Sequence, residues 1–198
     1  MIPDCLSEEC NCQDPLRYQQ VVLSLERIFL TNQRDLKEVL VCAEKIRDGI
    51  RQIDLFIQQA NQSVCTVCSD ICCVSKHGYY TCEDLIYLFA INLKPPHPTF
   101  ERNGTDPCPY LRETGCSIER SIRPSHCNWY FCDSLLDHME PQPAYREFDD
   151  AFRNIAELWL CMIDSFRRFC RVHGVQCNHA KTDRRHSRQT ECRQIDTF

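Results

Sequence analysis

The chain has 198 residues and a formal net charge of −5. That length suits one domain, or one domain with an extension, and is enough to bury a core without covalent staples; the acidic balance gives no general attraction to nucleic acid or anionic membranes. It nevertheless carries 17 cysteines, an odd number that excludes a fully disulfide-paired monomer, and only 5 glycines, which excludes phosphate-cradling glycine loops.

Residues 1–14 read as a flexible N-terminus in which Cys5, Cys10 and Cys12 are loosely spaced among acidic and polar residues. No basic region followed by an apolar run is present, so no signal peptide is expected. The longest apolar stretch, Ile86-Tyr-Leu-Phe-Ala-Ile91, is too short to span a bilayer. Asp14-Pro15 has the form of a helix entry, with Asp as N-cap and Pro at the first helical position. From there Leu25, Phe29, Asn32, Leu36, Val39, Ala43, Ile46, Ile50, Ile53 and Ile57 follow at alternating spacings of 4 and 3, a heptad seam whose one polar member is Asn32. The pattern predicts one long helix over 15–62, with Cys42 beside the seam as a small buried residue.

The segment 63–134 is the cysteine-rich region. Cys65, Cys68, Cys72 and Cys73 form a C-x2-C-x3-C-C run, and Cys108, Cys116, Cys127 and Cys132 follow. Thiolate is a soft ligand that suits zinc, Cu(I) and iron–sulfur clusters, and a tetrahedral site needs about four such donors with Zn–S near ~2.3 Å. C-x2-C aims two sulfurs at one point. Adjacent Cys72 and Cys73 diverge, so they are expected to serve different metal ions or different edges of one polynuclear cluster. The second set supplies the missing sulfurs. The competing reading is a disulfide framework, which needs an oxidising compartment that nothing in the sequence indicates. Within the segment, Thr81-Cys-Glu-Asp84 has the form of a capping box, opening a short helix through Leu85, Ile86, Leu88 and Phe89 that Pro95-Pro-His-Pro98 is expected to end. His77 and His126 lie near the cysteines, but with eight thiols at hand neither is needed as a ligand. Cys82 reads either as a ninth thiol or as a buried residue.

A second seam covers 143–173: Phe148, Phe152, Ile155, Trp159, Met162, Phe166 and Phe169, again spaced 4 and 3. Cys161 and Cys170 on it read as packing residues. Two apolar seams each need a partner, and the economical arrangement packs the two helices antiparallel in one chain; a dimerisation coil is the alternative. Residues 174–198, beginning at Gly174 and containing Lys181-Thr-Asp-Arg-Arg-His-Ser-Arg188, read as a basic, mobile tail; Cys177 and Cys192 in it have no assigned role.

The two cysteine sets together resemble the YkgJ-like CxxCxxCC family of zinc- or iron-chelating cysteine-cluster proteins. The resemblance is carried by Cys65-Thr-Val-Cys68, Cys72-Cys73, an acidic residue at Glu83 or Asp84, Cys108-Pro-Tyr-Leu111, Gly115-Cys-Ser-Ile118, Arg123-Pro124, and Cys127 with Tyr130-Phe131-Cys132. It covers about a third of the chain and leaves the two long helices outside. The family often has a glycine before the double cysteine, where this chain has Asp70 and Ile71, and a basic residue after the later cysteine, where this chain has Asn128. One branch resembles flagellin lysine methylases. Arg123 is a candidate hydrogen-bond donor to thiolates, and Tyr110, Leu111, Trp129 and Phe131 either shield the cluster or form a small core of the insert.

The expected architecture is mainly α: two long antiparallel helices, as a hairpin or small bundle, with an irregular, metal-stabilised, cysteine-rich insert at their end. The expected ligands are Cys65, Cys68, Cys72, Cys73, Cys108, Cys116, Cys127 and Cys132, holding zinc or an iron–sulfur cluster in one centre or two. The expected function is redox chemistry, metal handling or cofactor maturation in a reducing, cytoplasmic setting. The alternatives are a structural zinc module that binds a protein partner through the helices, and a cluster-dependent protein-modifying enzyme. No H-E-x-x-H, G-x-S-x-G or nucleotide loop is present. Membrane insertion and nucleic-acid binding are not expected.

Overall fold

The computed structural model describes residues 14–69, 72–75, 78–96, 106–113 and 115–175. Residues 1–13 of the expected flexible N-terminus and 176–198 of the expected basic tail, with Cys5, Cys10, Cys12, Cys177 and Cys192, lie outside them, as does His77. The fold is mainly helical. In chain order the helices are α1 (Pro15–Thr31), α2 (Lys37–Val64), α3 (Cys72–Ser75), α4 (Cys82–Ala90), α5 (His126–Trp129), α6 (Asp133–Met139) and α7 (Tyr145–Val172). A two-stranded antiparallel ribbon, β1 (Leu111–Arg112) and β2 (Gly115–Cys116), lies between α4 and α5. Among the described residues, no helix is long and apolar enough to cross a membrane.

The first helix begins as its sequence dictates: the Asp14 side chain accepts from the Arg17 N–H at 2.7 Å, and Pro15 occupies the first turn. It does not run on to residue 62. It ends at Thr31, and α2 starts at Lys37. The break falls at Asn32, the seam's polar member. Both the backbone N–H and the side-chain Nδ2 of Asn32 donate to the Ile28 carbonyl, each at 3.0 Å. Asparagine competes for backbone partners in this way, which is why it suits helix ends better than helix interiors. The break redirects the chain without moving the seam off the core: Leu25, Phe29, Leu36, Val39, Ala43, Ile46, Ile50, Ile53 and Ile57 are all buried.

Helices α2 and α7 pack antiparallel along their lengths. Arg168 reaches Glu38 at 3.3 Å, Cys161 meets Cys42 at 3.6 Å, and the Phe148 and Phe56 ring centroids are 5.1 Å apart, so numbers fall on one helix as they rise on the other. Gly49 allows the close approach between them, since a Cβ there would stand 2.7 Å from Ile155 Cγ1. The α7 seam is buried at Phe148, Ile155, Trp159, Met162, Phe166 and Phe169, and partly buried at Phe152.

The segment between these helices is not an appendage on their end. Helix α4 has the expected capping box: the Asp84 N–H donates to Thr81 Oγ1 at 3.2 Å and the Thr81 N–H to Asp84 Oδ2 at 2.7 Å. It ends before the prolines. Asn92 takes a left-handed φ of 58°, Leu93 N–H bonds Leu88 O at 2.8 Å and Asn92 N–H bonds Phe89 O at 3.0 Å, the pairing that closes a helix without proline. Cys82, Leu85, Ile86, Tyr87, Leu88 and Ala90 are all buried in the one core, with Tyr87 against Trp159 at 5.3 Å and Phe89 against Phe29 at 6.2 Å between ring centroids. A helix apolar on so many sides is one surrounded by other elements.

Candidate metal centre

The C-terminal end of α2 delivers the first thiol. Cys65 follows Val64 and enters a single tight turn, Cys65–Val67, closed by Cys68 N–H on Cys65 O at 3.4 Å. Cys72 and Cys73 open α3. Consecutive helical residues are rotated by about 100°, so their side chains leave the helix on different faces.

The downstream cysteines are folded back by short-range bonds. Cys108 N–H donates to Cys73 O at 2.7 Å, which places the start of the second set on the end of the first. The β1–β2 register sets Cys116 opposite Leu111, and Ser117 N–H on Tyr110 O at 2.8 Å continues the ribbon. The Arg120–Ile122 turn is anchored from three sides. Arg120 Nε donates to Asp54 Oδ1 on α2 at 2.6 Å, Tyr87 Oη to Ser121 O at 2.8 Å, and Tyr80 Oη to Ile122 O at 2.8 Å. Asp84 then holds the next turn: its Oδ1 accepts from the Ser125 N–H at 2.9 Å, two residues before Cys127. Burial raises the pKa of this carboxyl, and its bonds to Thr81 and Ser125 oppose that shift. Cys132 is the N-cap residue of α6, which packs on α2 and so returns this thiol towards Cys65.

The thiols fall into two electrostatic neighbourhoods. The Cys65 thiol is pushed up first by burial, then by Cys132, Cys72 and Cys68. The Cys73 thiol is pushed up by burial, then by Cys108, Cys116 and Cys72, while Arg123 pulls it down. The Cys127 thiol is pushed up to about 12 by burial, then by Cys108, Cys116 and Cys73, again with Arg123 opposing. Cys127 keeps some surface open to solvent, yet its sulfur is crowded by protein. Cys65 thus shares an electrostatic neighbourhood with Cys68, Cys72 and Cys132, and Cys73 and Cys127 share one with Cys108 and Cys116, the two overlapping at Cys72. The adjacent pair Cys72 and Cys73 is the link between them. Tyr110 belongs to the second group: burial raises its hydroxyl, followed by Cys108, Cys116 and Cys127. A Cβ on Gly78 would lie 3.5 Å from Cys108 Sγ, 3.7 Å from Pro124 and 3.7 Å from the Tyr110 ring, which puts the turn before Cys127 beside Cys108 independently of charge.

Among the described residues, no three Cys, His, Asp or Glu side chains converge closely enough to hold a metal ion as they stand. Thiolate is the donor type that zinc and iron–sulfur centres take, but the sulfurs would have to move together to hold an ion here. Arg123 Nε donates to Ile118 O at 2.8 Å, and its charge favours the ionised form of Cys73 and Cys127.

Other residues singled out in the sequence fall into place around this. Trp129 stacks edge-on against Phe152 and Trp159, with ring centroids 5.2 Å and 5.8 Å away, and Phe131 against Phe148 and Phe152, so both belong to the main core and not to a small core of an insert. Asn128, where a basic residue was expected, is buried, with Nδ2 on Arg120 O at 3.3 Å. Cys42, Cys82 and Cys170 are buried thiols, as packing residues should be. Cys161 is not: it is disulfide-bonded. Sequence reasoning missed Asp84 as the anchor of the Cys127 turn; the capping box explained only one of its two oxygens. No protein-family model, curated protein or solved structure matches this chain.

Proposed function

We propose that this is a metal-binding cysteine-cluster protein whose ligands are Cys65, Cys68, Cys72, Cys73, Cys108, Cys116, Cys127 and Cys132. The metal is zinc or the iron of an iron–sulfur cluster, and the role is metal handling, redox chemistry or cofactor maturation; the free thiols favour a reducing cytoplasm, and the disulfide at Cys161 is the observation against it. The observation that carries this reading is that all eight cysteines are free thiols, in two electrostatic neighbourhoods that meet at the double cysteine. Four thiols suit one tetrahedral thiolate site or two disulfides, and that all eight are free favours the first. The resemblance to the YkgJ-like family points the same way. In the finer architecture that follows, α2 and α7 form an antiparallel helical hairpin, and metal stabilises the segment 63–134 between them.

A structural zinc module is the second reading, favoured by one observation: Trp129 and Phe131, next to Cys127 and Cys132, pack on α7, so metal bound there would brace the main core. Metal quantification and visible absorption after anaerobic purification separate these readings. Iron–sulfur clusters absorb in the visible and zinc does not. Serine at any one of the eight positions lowers bound metal if the proposal holds; eight variants with undiminished metal would refute it.

A further inference from the structure

We infer that Cys42 on α2 and Cys161 on α7 form a thiol–disulfide exchange site, in which Cys42 is the resolving thiol for a disulfide carried by Cys161. The site uses none of the eight proposed metal ligands and stands whether or not the chain holds metal.

Cys161 is disulfide-bonded, and Cys42 is a free thiol whose S–H donates to the Cys161 sulfur at 3.6 Å. Thiol–disulfide exchange needs a thiol brought up to one sulfur of a disulfide, and access to that sulfur is one of the terms that set its rate. Here the fold supplies the access. Helices α2 and α7 pack closely on this face: two turns further along α2, a Cβ on Gly49 would stand 2.7 Å from Ile155 Cγ1. From 3.6 Å the two sulfurs need to close by about 1.5 Å to reach bonding distance, a movement on the scale of a side chain and not of a helix. The two positions also differ in exposure. Cys42 is buried at 6 % exposed, while Cys161 is only partly buried. A thiol or disulfide arriving from solvent therefore meets Cys161 first, and Cys42 reacts with what Cys161 carries.

The step balances without an outside oxidant. The Cys42 thiol gives its proton to solvent, and the thiolate attacks Cys161 Sγ. The Cys42–Cys161 bond forms as the bond between Cys161 and its present partner sulfur breaks. That sulfur leaves with the electron pair as a thiolate and takes up a proton. One disulfide is consumed and one is made, and the new one ties α2 to α7 within the core. Burial raises the Cys42 thiol above its ordinary range, Glu38 one turn away adds to this, and Lys45 opposes it. Little thiolate is therefore present at neutral pH, which keeps the exchange slow and lets the free thiol and the disulfide coexist in contact. A disulfide that can be handed on in this way is of the transient, redox-sensing kind found in reducing compartments.

The test uses the full chain, reduced, freed of reductant and treated with glutathione disulfide. Samples are quenched in acid, alkylated and digested without reduction, and the linked peptides are identified by mass spectrometry. In the unaltered chain, glutathione on Cys161 is expected to give way to a Cys42–Cys161 linkage as incubation proceeds. Cys42→Ser is expected to hold about tenfold more glutathione on Cys161, because a thiol held in contact acts at an effective concentration of millimolar or more. The time course of the Cys42–Cys161 linkage in the unaltered chain gives the same answer if the variant does not fold. Cys42 alkylated throughout, with no linkage to Cys161, overturns the inference, as does equal glutathione on Cys161 in the two proteins. Neither result bears on metal binding, which zinc content reads separately.

Discussion

Cys127 has a thiol whose surroundings oppose its ionisation. Burial and three neighbouring thiols push it up from the ordinary 9.0 to about 12, and Arg123 opposes them only in part. Without metal, folding is therefore favoured by the neutral thiol. The stabilisation is complete below the unfolded value and is lost as pH rises through the folded one. Metal-free protein should lose resistance to urea between about pH 9 and about 12, and Cys127→Ser should flatten that loss; equal slopes in the two proteins would contradict the assignment. The proposed ligands are picked out by spacing alone, because C-x2-C and a double cysteine are constraints on where sulfur can point. The grouping was legible only in part. Divergence at Cys72 and Cys73 follows from helical rotation, but that Cys132 joins Cys65 while Cys108 joins Cys73 depends on the α6 packing and on one backbone bond. Neither has a signature in the spacing.

At the scale of elements, the two seams were readable because heptad spacing marks a face, and the residues on both are the core. The break at Asn32 was not, since periodicity counts a polar member as one flaw and is blind to the side chain's competition for Ile28 O. Helix α4 carried its signal in plain view: Leu85, Ile86, Tyr87 and Leu88 are apolar without alternation or period, which marks an element covered on several sides. Trp159 joins these parts, touching Tyr87 of α4 and Trp129 of α5 from its place on α7. Trp159→Ala should cost roughly 3–5 kcal/mol of stability by urea unfolding, the range for large core truncations. A cost under about 1 kcal/mol, the range of surface changes, would mean that α4 and α7 are not packed as described.

For the whole molecule, the question is how far the fold depends on metal. The long helices share one apolar core with α1 and α4, whereas thiols held by turns and a short ribbon have little burial to rely on, and metal binding at such sites is folding energy on the order of 10 kcal/mol. Chelation should therefore leave most far-ultraviolet helical signal in place. Because α4 sits in the shared core, amide protection should persist over 82–91 and fall over 106–118; loss across α4 as well would show that metal, and not the apolar core, holds that helix.

The central claim is two four-thiol centres divided at the double cysteine, and Cys72→Ser and Cys73→Ser test it most directly. Anaerobically prepared zinc protein should bind about two ions per chain, one for every four thiolates. Each single variant should bind about half as much, with alkylation exposing Cys65, Cys68 and Cys132 in the first and Cys108, Cys116 and Cys127 in the second. Full zinc content in both variants, or exposure of the same cysteines in each, would contradict the account.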